Sequence, residues 1–172
     1  AETFGVELDV KKNLDFIGLR GLSFVCNAAY IYSRVRFEEG APERDRPLAG
    51  QSPYLVNAGF FYQYDDKGIS ASLLYNRIGK RIESVGVPMQ NQDEDIPDIY
   101  EMPRNSLDLT FSKKIGKIVE IKAGIQDILN SKVEYKQFVK LTDDKGGKSE
   151  REQLIRSYRP GVDINIGVSL RF

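Results

Sequence analysis

The chain has 172 residues, with 25 basic and 25 acidic side chains and no histidine, a length that suits one domain. Balanced charge argues against nucleic acid as a partner, and a mean hydropathy of −0.40 argues against membrane-crossing helices; transmembrane β-barrels stay open, because half of each of their strands is polar. Without histidine, hydrolases of the Ser/His/Asp or Cys/His kind are excluded within the chain. The lone Cys26 permits neither an internal disulfide nor a cysteine metal cluster and reads as one more small apolar residue. There is no run of about 18 apolar residues and no signal-peptide pattern at the start, so the expectation is either a cytosolic protein or a mature or truncated chain.

Period-two alternation of apolar and polar residues marks seven strands. In "TFGVELDVKK" the apolar set is Phe4, Val6, Leu8 and Val10; in "LSFVCNAAYIYSRV" it is Leu22, Phe24, Cys26, Ala28, Tyr30 and Tyr32, although Val25 and Ile31 blur the opposite face. "YLVNAGFFYQY" places Tyr54, Val56, Ala58, Phe60, Tyr62 and Tyr64 on one side, and "ISASLLYNR" places Ile69, Ala71, Leu73 and Tyr75 there. Leu107, Leu109 and Phe111 alternate with Asp108, Thr110 and Ser112, then Val119, Ile121, Ala123 and Ile125 with Glu120, Lys122, Gly124 and Gln126. The closing "VDINIGVSLRF" alternates Val162, Ile164, Ile166, Val168, Leu170 and Phe172 with polar or small residues. Its apolar side faces either a protein core or lipid.

Connections favour lipid. "DDKG" and "IGKI" are tight hairpin turns, and "NLDFIGLRG" is fairly short. "EEGAPERDRPLAGQS", "VGVPMQNQDEDIPDIYEMPR" and roughly "LTDDKGGKSEREQLIRS" read as long polar loops. Short turns at one end and long loops at the other is the pattern of outer-membrane barrels. The aromatics sort likewise. Phe24, Tyr62, Tyr64, Phe111 and Phe172 fall toward the short-turn end, and Phe4, Tyr30, Tyr32, Tyr54 and Tyr158 toward the long-loop end. Two such girdles suit two lipid–water interfaces, although aromatics also have high β-propensity. Opposite the apolar stripes many positions are small or amide-bearing, among them Gly5, Ser23, Asn27, Asn57, Gly59, Ser72, Asn76 and Asn165, which suits a crowded polar lumen. Seven strands cannot close a common bacterial barrel, which has an even number, so a fragment is expected.

Other clusters read more plainly. Asp93, Glu94, Asp95, Asp98 and Glu101 are hard oxygen ligands, but their spacing fits no EF-hand and a solvated loop is the expectation; no metal or cofactor is assigned. Arg77, Lys80 and Arg81 could hold lipopolysaccharide phosphate or an anionic substrate, or simply form a charged rim. "GGKSE" lacks the spacing and strand-to-helix context of a phosphate loop.

"GVELDVKKNLDF", "LAGQSPYLVNAGFFYQY" with "LLYNRIGKRI", "AGIQDILN" with "YKQF", and "YRPG" leading to a strand that ends in Phe172 together resemble the C-terminal β-barrel portion of a TonB-dependent outer-membrane receptor. The resemblance covers nearly the whole chain, residues 1–172. It implies an antiparallel meander of about seven long strands from a plugged barrel of about 22 strands in the bacterial outer membrane, its plug and earlier strands being absent from this chain. The implied function is import of a scarce nutrient of the siderophore, glycan, cobalamin or peptide class, with nothing catalytic. The implied partners are outer-membrane lipid and lipopolysaccharide, TonB through the plug, the barrel assembly machinery, for which Phe172 would be the signal, and a surface substrate-binding lipoprotein as a further candidate. Glu7, Asp9, Asp108, Glu120, Lys122, Asp163 and Arg171, opposite the apolar stripes, would then line the lumen and pair with the plug, with one another or with water, since charge facing lipid is costly. Two alternatives remain: a soluble β-barrel or sandwich ligand-binding module, and a small structural or adhesive outer-membrane barrel needing an eighth strand.

Overall fold

The computed structural model describes residues 1–89, 95–142 and 148–171. The chain is all-β, with antiparallel strands in two sheets. In chain order the strands are β1 (Glu2–Asn13), β2 (Leu22–Arg34), β3 (Tyr54–Tyr64), β4 (Ile69–Ile78), β5 (Arg81–Ser84), β6 (Ile99–Glu101), β7 (Arg104–Ile115), β8 (Val119–Gln126), β9 (Val133–Thr142), β10 (Lys148–Tyr158) and β11 (Asp163–Leu170). The larger sheet runs β1-β2-β3-β4-β7-β8-β11, and the smaller runs β5-β6-β9-β10. The seven strands of the larger sheet are the seven that alternation marks, each beside its neighbour in that sequence. The sheet is not a closed barrel: β1 and β11 each pair on one side only.

The register makes the two faces continuous. Val10, Cys26, Ala58, Tyr75 and Leu107 stand in one cross-strand row, and Phe24, Phe60, Leu73, Leu109, Ile125 and Ile164 in another. Aromatic pairs reinforce this face, with ring centroids 4.9 Å apart for Phe4 and Tyr32 and 5.2 Å for Phe24 and Phe60. On the opposite face Asp9, Asn27, Asn57, Asn76 and Ser106 form a row. Since the side-chain period is two, a one-residue slip would send every apolar residue to the polar face.

Four further strands are not among the seven, β6 and β10 in stretches that read as long polar loops and β5 and β9 largely outside them, and they have a simple relation to the larger sheet. Only Gly79 and Lys80 separate β4 from β5, and only Met102 and Pro103 separate β6 from β7. The pairing runs on unbroken, Ile78 facing Arg104 and then Arg81 facing Glu101. In the same way β9 continues β8, and β10 leads into β11. The smaller sheet is therefore the larger one prolonged at its long-loop end across four breaks. The break at 127–132 carries two residues in the left-handed region, Asp127 (φ 53) and Asn130 (φ 43), which tolerate it better than most.

Glycine is required at two kinds of place. Gly68 closes the turn between β3 and β4 at φ 57, its N–H donating to the Asp65 carbonyl at 2.9 Å. Gly79 lies under the ring of Tyr54, where an added Cβ would sit 2.8 Å from Cε1; the ring covers the backbone that glycine leaves bare.

Among the described residues, neither face of the larger sheet carries a second layer. Among the described residues the buried apolar side chains are Ala29, Ile82 and Val133, whereas Val6, Ile164 and Ile166 are 72%, 68% and 76% exposed. The chain exposes 12332 Å². A globular monomer of its 19.5 kDa would expose about 8,500 Å². Both faces of the edge strands β1 and β11 contribute to the excess, being exposed at every position.

Candidate ligand site beyond the apolar belt

The apolar rows stop at the breaks, in a band of hydroxyls, amide and arginine. Tyr75 donates its hydroxyl to Asn105 Oδ1 at 2.7 Å, Arg77 donates to the same oxygen at 2.8 Å, and Arg77 Nε donates to the Tyr54 hydroxyl at 3.3 Å. Above the band this face turns charged: Arg81 forks onto Glu101 at 2.9 and 2.7 Å, and Arg156 stacks 4.1 Å from the Tyr135 ring centroid. Lys80 points elsewhere, its Nζ 4.3 Å and 4.4 Å from the centroids of Tyr100 and Phe138. Arg77, Lys80 and Arg81 thus diverge to three sets of partners and form no convergent anion site.

Around Tyr100 and Phe138 lies a groove of ≈ 390 Å³, walled by residues 43–47, the segments 85–88 and 95–98, and the β6–β9 pair. Hydrogen bonds to carboxylates hold its walls. Asp98 accepts the Gly86 N–H at 2.8 Å and the Tyr100 hydroxyl at 3.4 Å. Asp95 accepts the Met89 N–H at 2.8 Å and is ion-paired with Arg44. Asp45 accepts the Phe37 N–H at 3.2 Å and pairs with Arg34 at 2.9 Å. The Phe37 N–H, with the Arg34 guanidinium, holds the Asp45 carboxyl below its ordinary range, against an opposing effect of desolvation. Burial, aided by Asp98, pushes the Tyr100 hydroxyl up. Lys136 is raised by Glu152, 2.6 Å away, and by Glu134 at 3.4 Å, net of desolvation.

The groove offers two aromatic rings, a lysine and fixed carboxylates to a small polar ligand. Of the acidic cluster read from the sequence, Asp95, Asp98 and Glu101 turn to separate protein partners; Asp93 and Glu94 lie outside the described residues. Among the described residues no three carboxylate, cysteine or histidine groups gather as a metal site.

The charges expected opposite the apolar stripes do share one face, but they do not converge. Glu120 takes Lys122 at 3.6 Å and Arg171 at 3.7 Å. Asp108 accepts the Asp127 N–H at 2.8 Å, and Asp127 pairs with Arg104. Asp9 faces Asn27, Glu7 faces Ala29 and Asp163 faces Gln126. Between them run amide and hydroxyl rungs: Asn76 to Asn57 at 2.6 Å, Ser72 to Thr110 at 2.6 Å, Ser70 to Ser112 at 2.8 Å. The aromatics Phe24, Tyr30, Tyr32, Tyr54, Tyr62, Tyr64 and Phe111 all fall on the apolar face by register; Phe172 lies outside the described residues. Sequence reasoning missed Tyr100, Phe138 and Lys80 as neighbours, because they come from three separate stretches.

Comparison of the chain with protein-family models, with curated proteins and with solved structures gives no match.

Proposed function

We infer that this chain is part of the wall of a plugged outer-membrane barrel of the TonB-dependent receptor type, importing a scarce nutrient. One observation carries the proposal: a continuous, uncovered apolar belt of membrane height on one face, opposite a mainly polar face that Phe61 and Leu74 interrupt. β3 has 11 residues, about 36 Å of strand at 3.3 Å each; tilted about 45°, it spans about 25 Å, the height of an outer-membrane apolar band. The Tyr54, Tyr75 and Arg77 band, with polar tips and apolar bodies, suits the lipid–water boundary.

The remaining parts take their roles from that belt. The polar face, with its amide and hydroxyl rungs and paired charges, would line the lumen against a plug. The prolonged strands would stand above the membrane and present the groove around Tyr100 and Phe138 to an incoming nutrient. A soluble sandwich or barrel would need a second layer over the apolar rows, and the smaller sheet prolongs the larger one without covering it.

Detergent dependence is the test. Sedimentation and far-UV circular dichroism in plain buffer and in dodecyl maltoside should show aggregation in the first and β-rich, dispersed particles in the second. A monomer that unfolds cooperatively in plain buffer would overturn the assignment.

A further inference from the structure

The chain is neutral overall, but its charge is sorted along the strands. The short-turn end, residues 11–21, 63–68, 112–122 and 169–171, holds nine basic and four acidic residues. The rest holds the remaining sixteen basic and twenty-one acidic. The acidic residues of the short-turn end are largely occupied. Asp15 Oδ1 accepts the Gly21 N–H at 3.1 Å, Asp65 accepts the Gln63 amide at 2.8 Å, and Glu120 holds Lys122 and Arg171 on the polar face.

Basic residues on the apolar side of this end sit among exposed apolar ones. Lys12 Nζ lies 5.4 Å over the Phe16 ring and Lys67 Nζ 5.4 Å over Tyr64. Lys113, between Ile69 and Ile121 in the apolar rows, donates to the Lys67 carbonyl. Lys117 stands in the next turn beside Ile115 and Ile118, which are 51% and 56% exposed. Phe16 and Ile17, at 70% and 58%, project from the first turn. A rim with apolar side chains below and ammonium groups above matches a lipid surface whose headgroups are negative.

We propose that the short-turn rim of the apolar face binds anionic phospholipid headgroups. This deepens the function inferred above and rests on its lipid-facing assignment. Charge complementarity selects the occupant: lysine stems lie along the apolar belt, and their heads reach phosphate level, where each favours an anionic lipid about fivefold. The long-loop end, where basic and acidic residues are about equal in number among the described residues, lacks that preference.

The chain contains no tryptophan, so one introduced indole is a clean reporter. Ile115→Trp would report from the rim and Tyr30→Trp from the other end of the belt, in dodecyl maltoside micelles doped with brominated phosphatidylglycerol or brominated phosphatidylcholine. Brominated phosphatidylglycerol should quench the Ile115→Trp signal at a mole fraction about fivefold lower than phosphatidylcholine does. About 0.5 M salt, or Lys67→Gln, Lys113→Gln and Lys117→Gln together, should bring the two lipids level, and Tyr30→Trp should show no preference throughout. Equal quenching of Ile115→Trp by both lipids overturns the rim while leaving the lipid-facing belt standing. Quenching by neither lipid at either reporter overturns the belt, and the rim with it. Should Ile115→Trp fail to fold, Ile118→Trp reads the same turn.

Discussion

Leu73 and Leu74 are adjacent on β4 and equally exposed, at 38% each, yet they point to opposite faces. Leu73 stands in the apolar row between Phe60 and Leu109; Leu74 stands between Gly59 and Asp108. Arginine substitution therefore separates a lipid-facing from a water-facing surface with the local strand held constant. If both faces meet water, Leu73→Arg and Leu74→Arg should each fall within about 0.5 kcal/mol of the parent, as surface changes do. If the apolar face meets lipid, Leu73→Arg places a guanidinium near mid-belt at a cost of about 2–4 kcal/mol, while Leu74→Arg gains Asp108 as a neighbour and should stay within about 1 kcal/mol. The measurement is urea unfolding of the protein in phospholipid–detergent micelles, followed by far-UV circular dichroism. With a slope of about 2 kcal/mol per molar urea, Leu73→Arg should lower the midpoint by about 1–2 M and Leu74→Arg by less than half of that. Equal shifts for the two variants would refute the distinction between the faces.

Further outcomes follow from local geometry. Gly79→Val would drive a side chain into the Tyr54 ring and Ser52 Oγ, 2.8 and 2.9 Å from the new Cβ, and should destabilise by about 1–3 kcal/mol; Gly79→Val with Tyr54→Ala should recover part of that loss in the same urea assay. Asp45 has a lowered folded-state pKa, so its stabilisation of the loop is present above the ordinary carboxylate value and disappears as pH falls through the lowered one; exchange of the Phe37 amide should accelerate over that acid window, and Asp45→Asn should remove the dependence. Lys80→Gln takes the ammonium from between Tyr100 and Phe138 and should weaken the β6–β9 pairing by about 0.5–1 kcal/mol, seen as faster amide exchange in β6 with the larger sheet unchanged.

The larger sheet was legible because its strands have two unlike faces. Val6 next to Glu7, or Ile166 next to Gly167, writes the period of two directly into the sequence, and the short turns then fix which strands are neighbours. β10 shows the limit of that signal. "KSEREQLIRSY" is polar with little alternation, and its residues 149–158 are exposed on both faces, so strand character comes from pairing with β9 and not from a buried side. Gly79, Pro103 and the segment 127–132 carry turn-forming chemistry, and in the sequence they look like the ends of strands; in the fold they are joints within them. The groove was illegible for a different reason. Tyr100 and Phe138 carry no mark separately, Lys80 is marked only within a basic cluster, and only the register of β6 on β9 brings the two rings together. The polar-face charges were legible as a set, since parity places them, but their individual partners depend on bends that parity does not encode, such as the positive φ of Asp127.

If the larger sheet is the barrel wall inferred above, its two free edges set an order of events. Along β1, 12 residues long, about half of the main-chain N–H and C=O groups point away from β2, and the same holds for β11 on the side away from β8. In water these groups are solvated at little cost; in hydrocarbon each would cost several kcal/mol, tens of kcal/mol in all. A wall built this way cannot enter a bilayer strand by strand or as an open sheet. For the barrel wall inferred above, the two edges would have to find other strands before or during entry, which would make insertion a concerted event and keep the apolar face out of the membrane until the last backbone groups were paired.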